Sequence, residues 1–264
     1  MTLSKEERKR QKALAKAQKQ QTESVVTETV SNQTVTVLCV RFGTGYGKEY
    51  VERLRNMVSR HLTVPYEFVC LTDDQHTISG VRSIVQKNGG YGRQWWHKLH
   101  MFDQNLPVSG RILYLDLDVI IHASINKLVL DPGNRFYGIR DFNRKFYANW
   151  RNLNSSVMSW VHGSQHDLYL KFKESVLGAT RMHGDQDFIW KYGRDRITFW
   201  PDSWIQSYKW EIRRREELIS RDGRRGFKHI RNDIAVDSDC SVAVFHGSPN
   251  PADVQDKFVV DNWR

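Results

Sequence analysis

Asp116 and Asp118 are two carboxylates separated by one residue, and they interrupt the apolar run from Arg111 to Ile121, Arg-Ile-Leu-Tyr-Leu-Asp-Leu-Asp-Val-Ile-Ile. Neighbouring carboxylates repel each other and are costly to bury without a partner, so a divalent cation is the chemistry they invite. The plainer reading is a pair of surface acids at the end of a strand. The apolar flanks argue against it, because ionised acids seldom sit so deep in an apolar run unpartnered.

These carboxylates need an element to carry them. Ile112 to Leu115 has the length and composition of a buried strand. If the chain stays extended, positions 116 and 118 face the same side at its carboxyl end. Open α/β sheets bind ligands at that end.

The preceding chain reads as strand, turn and helix. Val35 to Val40 is a β-branched strand, Arg41 to Gly47 a glycine-rich turn, and Val51, Leu54, Met57 and Val58 form one face of a helix. Glu67 to Leu71 and Val81 to Val85 are further strands, the first ending at Thr72-Asp73-Asp74. Asn88 to Arg93 is a glycine-rich loop, and a helix runs from Trp95 to about Phe102. Such an opening belongs to nucleotide-binding α/β units, although glycine turns alone are weak signals.

Beyond Asp118, Phe136 to Ile139 and Ser156 to Trp160 are strands separated by a basic, aromatic loop. Leu168, Phe172 and Val176 recur at helical spacing, and Asp185 to Trp190 starts a short helix. Ile197 to Trp200 and Val242 to Phe245 are expected to close the sheet. Glu211 to Arg231 carries seven arginines and reads as a solvated face or loop.

At 264 residues, 39% hydrophobic and 12% aromatic, the chain can build one large α/β domain. The net charge of +10 is uneven: residues 1 to 22 hold seven Lys or Arg against Glu6 and Glu7 and supply half of it. The remainder is only mildly basic, which argues against nucleic acid as a partner. Residues 1–34 read as a basic, frayed tail and linker, with peripheral contact to an acidic membrane surface as its alternative role. The dispersed Cys39, Cys70 and Cys240 fit a reduced, cytoplasmic protein. No apolar run approaches the roughly 18 residues of a membrane span.

The order of the pieces resembles the GT-A glycosyltransferases, such as glycogenin and the bacterial lipopolysaccharide galactosyltransferases. Trp96-His97-Lys98-Leu99-His100-Met101-Phe102 followed by the Asp116/Asp118 strand is similar to that family's Lys-Leu-His helix and Asp-x-Asp strand. Asn154 to Met158, Gly184-Asp185-Gln186-Asp187 and His246-Gly247-Ser248-Pro249-Asn250-Pro251 resemble three later family segments. The resemblance implies a single GT-A-like (Rossmann-like) domain over residues 35–264, with a mixed, mostly parallel sheet flanked by helices.

It also implies an activity: a hexose moved from a UDP-sugar to a glycan, lipid or protein acceptor, with retention. Asp118, His246 and Asp116 would hold a divalent metal. Mixed carboxylate and imidazole ligands suit Mn²⁺ better than Mg²⁺. Lys98 would stand near the phosphates or donor sugar, and the Tyr46 ring would stack on uracil. Asn154 and Asp185 would bind sugar hydroxyls, with Gln186 near the anomeric carbon; Asp185, Gln186 and Lys98 are the implied catalytic set. Thr44, Asp73, Arg93, Leu117, Gly247, Ser248 and Asn250 complete the implied nucleotide-sugar contacts.

Two positions depart from the family pattern. Asn250 stands where relatives carry a phosphate-binding Lys, so phosphate binding leans on Lys98, Arg93 or another base. Many relatives place the metal His further ahead of the loop glycine, where this chain has Val244.

Trp95 and Trp96 read first as packing residues, with a sugar-stacking platform as the alternative. His100 and His183 read as ordinary core or surface histidines. A haloacid-dehalogenase-type phosphatase is the rival enzyme, since its nucleophile strand also ends Asp-x-Asp. That strand usually opens its domain, and the later acidic pair it requires would fall on Asp185 and Ile189. A non-enzymatic basic protein binding nucleic acid or glycan is the other alternative. It leaves the carboxylate pair unexplained.

Overall fold

The structure, a computed structural model, describes residues 34–74, 78–131, 133–219 and 225–264, with side chains throughout these except 214–219 and 225–233. The tail expected over residues 1–34 lies outside them, Thr34 aside.

The chain opens with β1 (Val35–Arg41), α1 (Lys48–His61), β2 (Tyr66–Thr72) and β3 (Arg82–Val85). Then come β4 (Arg111–Leu115), β5 (Val119–Ile121), β6 (Phe136–Arg140) and β7 (Leu153–Val161). Helices α2 (His166–Glu174), α3 (Val176–Thr180) and α4 (Asp185–Gly193) lead to β8 (Ile197–Phe199) and β9 (Ile205–Ser207). The remainder comprises β10 (Arg213–Ile219), β11 (Arg225–Ile234), β12 (Val242–Val244) and α5 (Lys257–Asn262).

Seven strands form the central sheet in the order β3-β2-β1-β4-β7-β6-β8. The pairs β1/β2, β1/β4, β2/β3 and β6/β8 are parallel, whereas β7 is antiparallel to both β4 and β6. The first two crossovers carry the chain away from β1, and the third returns it to β1's other side as β4. This reversal opens a crevice at the carboxyl ends of β1 and β4, the place where doubly wound sheets take ligands.

Both faces of the sheet are covered, which is why its central strands are continuous apolar runs. In β4, Leu113 and Leu115 join one buried cluster with Val37, Cys39 and the α1 residues Val51, Leu54, Met57 and Val58. Ile112 and Tyr114 join the opposite cluster with Leu38, Trp96, Leu99, Phe102 and Phe172. The alternation within one strand thus feeds two cores.

Several expectations are corrected. The segment Gln94–Phe102 winds as a 3-10 helix, shown by the Asp103 N–H donating to the His100 carbonyl at 3.1 Å. The helical repeat through Leu168, Phe172 and Val176 breaks at Ser175, whose non-helical backbone separates α2 from α3. The strand expected over Ile112 to Leu115 is present as β4, but the chain does not stay extended through Asp118: it turns at Leu117 and Asp118, and β5 joins a separate three-stranded sheet, β5-β12-β9. Val242–Val244 pairs there with β5 and β9 instead of closing the main sheet. An apolar run specifies burial on both sides but carries no address for its partners. The arginine-rich segment, expected as a solvated face or loop, carries two strands, β10 and β11, that pair antiparallel and so satisfy backbone hydrogen bonds between themselves.

Candidate functional site

The crevice at the ends of β1 and β4 holds a cavity of about 330 Å³. Asp116 and Asp118 reach it through a turn. Asp116 is fixed by its own N–H, which donates to the Ser156 carbonyl of β7 at 2.8 Å. The Asp118 carbonyl accepts from the Phe245 N–H at 3.4 Å, which ties this turn to the segment after β12.

Lys98 projects from the 3-10 helix, whose Trp96, Leu99, Met101 and Phe102 anchor it in the core. Its Nζ lies 2.7 Å from Asp116 Oδ1 and 3.6 Å from Asp185 Oδ2. Burial opposes the ammonium, but Asp116 and Asp185 outweigh it and raise its pKa above the ordinary lysine value. Asp185 opens α4 and accepts from the Ser155 hydroxyl at 2.7 Å. Burial raises its pKa against the pull of Lys98. The Tyr114 hydroxyl donates to Asp116 at 2.5 Å.

On the opposite wall the Tyr46 hydroxyl donates to Asp118 at 3.0 Å. Burial, and then the charge of Asp116, pushes the Asp118 carboxyl up to about 7. Like charges confined in one wall produce this competition. His246 packs flat on Phe142 at 5.1 Å and against the edge of Trp210 at 4.4 Å, with Nε2 2.7 Å from Ser207 Oγ.

The cavity brings together Tyr46, Lys98, Asp116, Leu117, Asp118 and Asn154 from the expected set. Asp185, Gln186, His246 and Gly247 also line it. Thr44, Asp73, Arg93, Ser248 and Asn250 stand outside its lining. Asp73 accepts from the Gly43 N–H at 3.0 Å and from Asn88 Nδ2 at 2.9 Å, shaping the glycine turn. The Asn250 N–H donates to Asp253 at 2.9 Å, where Asn250 caps the turn Pro251–Asp253. Arg93 lies over the Trp95 ring at 4.8 Å.

Sequence reasoning passed over Ser155, Arg41, Gln94 and Ser207. Ser155 lies inside the Asn154 to Met158 segment, but its contact with Asp185 depends on the packing of α4 on β7. Trp95 lines the cavity, while Trp96 is buried in the core. His97 and His100 are structural. His97 joins the Gly89 N–H to the Gln94 carbonyl, and His100 bridges Tyr91 and Gln86 at 2.9 and 2.8 Å.

For a divalent ion the donors fit in kind, two carboxylates and an imidazole on one cavity. They are not gathered as ligands: among the described residues no three His, Cys, Asp or Glu side chains form a ready metal cluster. Coordination by all three requires side-chain rearrangement.

The arrangement of the sheet, with its crevice at the β1/β4 reversal, is that of a GT-A-like α/β domain, the class the sequence led us to expect. Among solved structures, the galactosyltransferase LgtC in complex with donor and acceptor sugar analogues is similar at TM-score 0.56 and 12% identity, over 82% of this chain and 88% of that chain. An active-site mutant of LgtC gives TM-score 0.54 at 11% identity, over 82% of this chain and 89% of that one. The apo form of the glycosyltransferase GlyE from Streptococcus pneumoniae TIGR4 gives TM-score 0.50 at 18% identity, over 66% of this chain and 46% of that chain. At these identities the likeness is one of fold. No protein-family model and no curated protein sequence matches the chain. No described helix is long and apolar enough to cross a membrane.

Proposed function

We propose that this protein is a glycosyltransferase that moves a hexose from a UDP-sugar to an acceptor hydroxyl with retention, aided by a divalent metal, Mn²⁺ in preference to Mg²⁺. The observation that carries the reading is the convergence of Lys98, Asp116 and Asp185 beside Asp118 in the crevice of a GT-A-like fold.

A divalent ion held by Asp116 and Asp118, with His246 drawn in, would supply fixed positive charge against the diphosphate as it leaves. The chain's own residues bind and orient. The face of Tyr46 receives the uracil. Asn154 and Asp185 hydrogen-bond sugar hydroxyls, and Lys98, a point charge braced by two carboxylates, orders the sugar relative to the phosphates. Gln186 follows Asp185 at the start of α4, and its amide lies beside the anomeric carbon. The acceptor oxygen bonds to that carbon as the bond from the carbon to the diphosphate oxygen breaks, and the acceptor's proton leaves with the diphosphate.

Calorimetric titration of UDP into the protein with Mn²⁺, and again with EDTA, tests this. Binding that requires the metal supports the reading. Absence of binding in both conditions counts against it.

A further inference from the structure

Three consecutive residues of β7, Asn154, Ser155 and Ser156, line the cavity. A regular strand turns alternate side chains to opposite faces, so a row of this kind needs an irregularity. The pairing of β7 with β6 supplies it: Tyr137 faces Ser159 and Ile139 faces Asn154, so β7 takes five steps where β6 takes two. Bulges beside active sites re-aim side chains in this way.

Two of the three side chains are already engaged. The Ser155 hydroxyl donates to Asp185 at 2.7 Å, and Asn154 Oδ1 accepts from the Ser156 N–H at 3.0 Å. The Ser156 carbonyl takes the Asp116 N–H at 2.8 Å, so the Ser156 backbone is held on both sides. Its side chain is different. Ser156 is 6% exposed, yet among the described residues its hydroxyl makes no hydrogen bond. The oxygen is unpartnered without being sealed from solvent, so the exposure it keeps is to the cavity that Ser156 lines. A nearly buried hydroxyl without a partner is costly, which makes it a place that a ligand completes.

Its neighbours define that ligand. Through Asp116 and Ser155 the row joins Lys98 and Asp185, the groups assigned to the sugar, while Tyr46, assigned to uracil, stands on the opposite wall. A serine hydroxyl both donates and accepts, so it pairs with a sugar hydroxyl in either role.

We propose that Ser156 is a specificity-determining residue for the donor, its hydroxyl hydrogen-bonding one hydroxyl of the transferred sugar. The inference rests on the nucleotide-sugar reading above and deepens it. Because the Ser156 backbone is fixed through Asn154 and Asp116, the hydroxyl is preorganised, and a donor without the matching hydroxyl leaves it unpaired.

The test is calorimetry with Mn²⁺ on the wild type and Ser156→Ala. The ligands are UDP, UDP-glucose, UDP-galactose and the monodeoxy analogues of whichever hexose donor the wild type binds more tightly. Ser156→Ala is expected to weaken that donor by about fivefold while leaving UDP within about twofold. The wild type should lose a similar factor for one deoxy analogue, and Ser156→Ala should no longer distinguish that analogue from the parent donor. Equal affinity of wild type and Ser156→Ala for the parent donor overturns the proposal. So does an equal loss for UDP and the donor, which marks a structural role in β7, or a variant that still separates every deoxy analogue as the wild type does. Ser156→Gly, matched to wild type by thermal unfolding, replaces Ser156→Ala if that variant fails to fold. A wild type that binds UDP but neither hexose donor overturns this proposal alone. One that binds no UDP defeats the nucleotide-sugar reading itself, and this inference falls with it.

Discussion

Lys98 and Asp116 are 18 positions apart in the chain and 2.7 Å apart in the fold, and neither is exposed enough for water to replace the other. Breaking a largely buried ion pair from one side leaves an uncompensated charge. Lys98→Met is therefore expected to lower stability by about 3 kcal/mol, somewhat under a fully buried case because both side chains keep slight exposure. Adding Asp116→Asn to it should recover part of the loss. Urea unfolding of the two single variants and the double variant reads the coupling directly, and simple additivity would show that the pair contributes nothing.

The Asp118 carboxylate accepts from the Tyr46 hydroxyl at the cavity, while its backbone contact to Phe245 does not depend on the side chain, so an isosteric amide there is expected to spare the core. Asp118→Asn should leave the unfolding midpoint close to wild type and reduce metal-supported sugar transfer by about two orders of magnitude. Transfer or donor hydrolysis is measured over a range of Mn²⁺. A variant as active as wild type at every concentration would remove Asp118 from the mechanism.

Gly110 precedes β4 in the left-handed region, at φ +72°, and a Cβ there would come within 1.9 Å of the Thr34 carbonyl oxygen. The same strand start pairs with β1, the Arg111 N–H donating to that carbonyl at 2.9 Å. Gly110→Ala should therefore destabilise the protein by about 2 kcal/mol or more, seen as a lower melting temperature. An unchanged melting temperature would mean that this junction yields readily.

Two histidines set an acid limit. Burial, then the charges of His97 and Lys173, pushes His100 down to about 4, and burial with His61 and Lys127 does the same to His122. Each binds its proton more weakly folded than unfolded, where the ordinary value is about 6.5. Their stabilisation is complete above about pH 6.5 and lost as pH falls through about 4, amounting to roughly 2 to 3 kcal/mol per histidine. Denaturant midpoints from pH 7 to pH 4 should show the decline. His122→Phe, which keeps the ring beside Phe258, should flatten part of it; an unaltered slope would place the effect elsewhere.

The sequence by itself determined what depends on neighbours along the chain. The periodicity of Val51, Leu54, Met57 and Val58 specified α1, and the unbroken run Ile112 to Leu115 specified a strand buried on both faces. The order of the Lys98, Asp116, Asn154, Asp185 and His246 segments was enough to anticipate the fold. Only the tertiary structure decided what depends on pairing. It ended β4 at Leu115 and sent β5 and β12 to a second sheet, because an apolar strand is accepted by any matching edge. It set Asp73 and Asn250 to shaping turns, and it brought Ser155 to Asp185. Contacts of this kind join elements far apart in the chain, and local spacing carries no trace of them until the sheet has set their register.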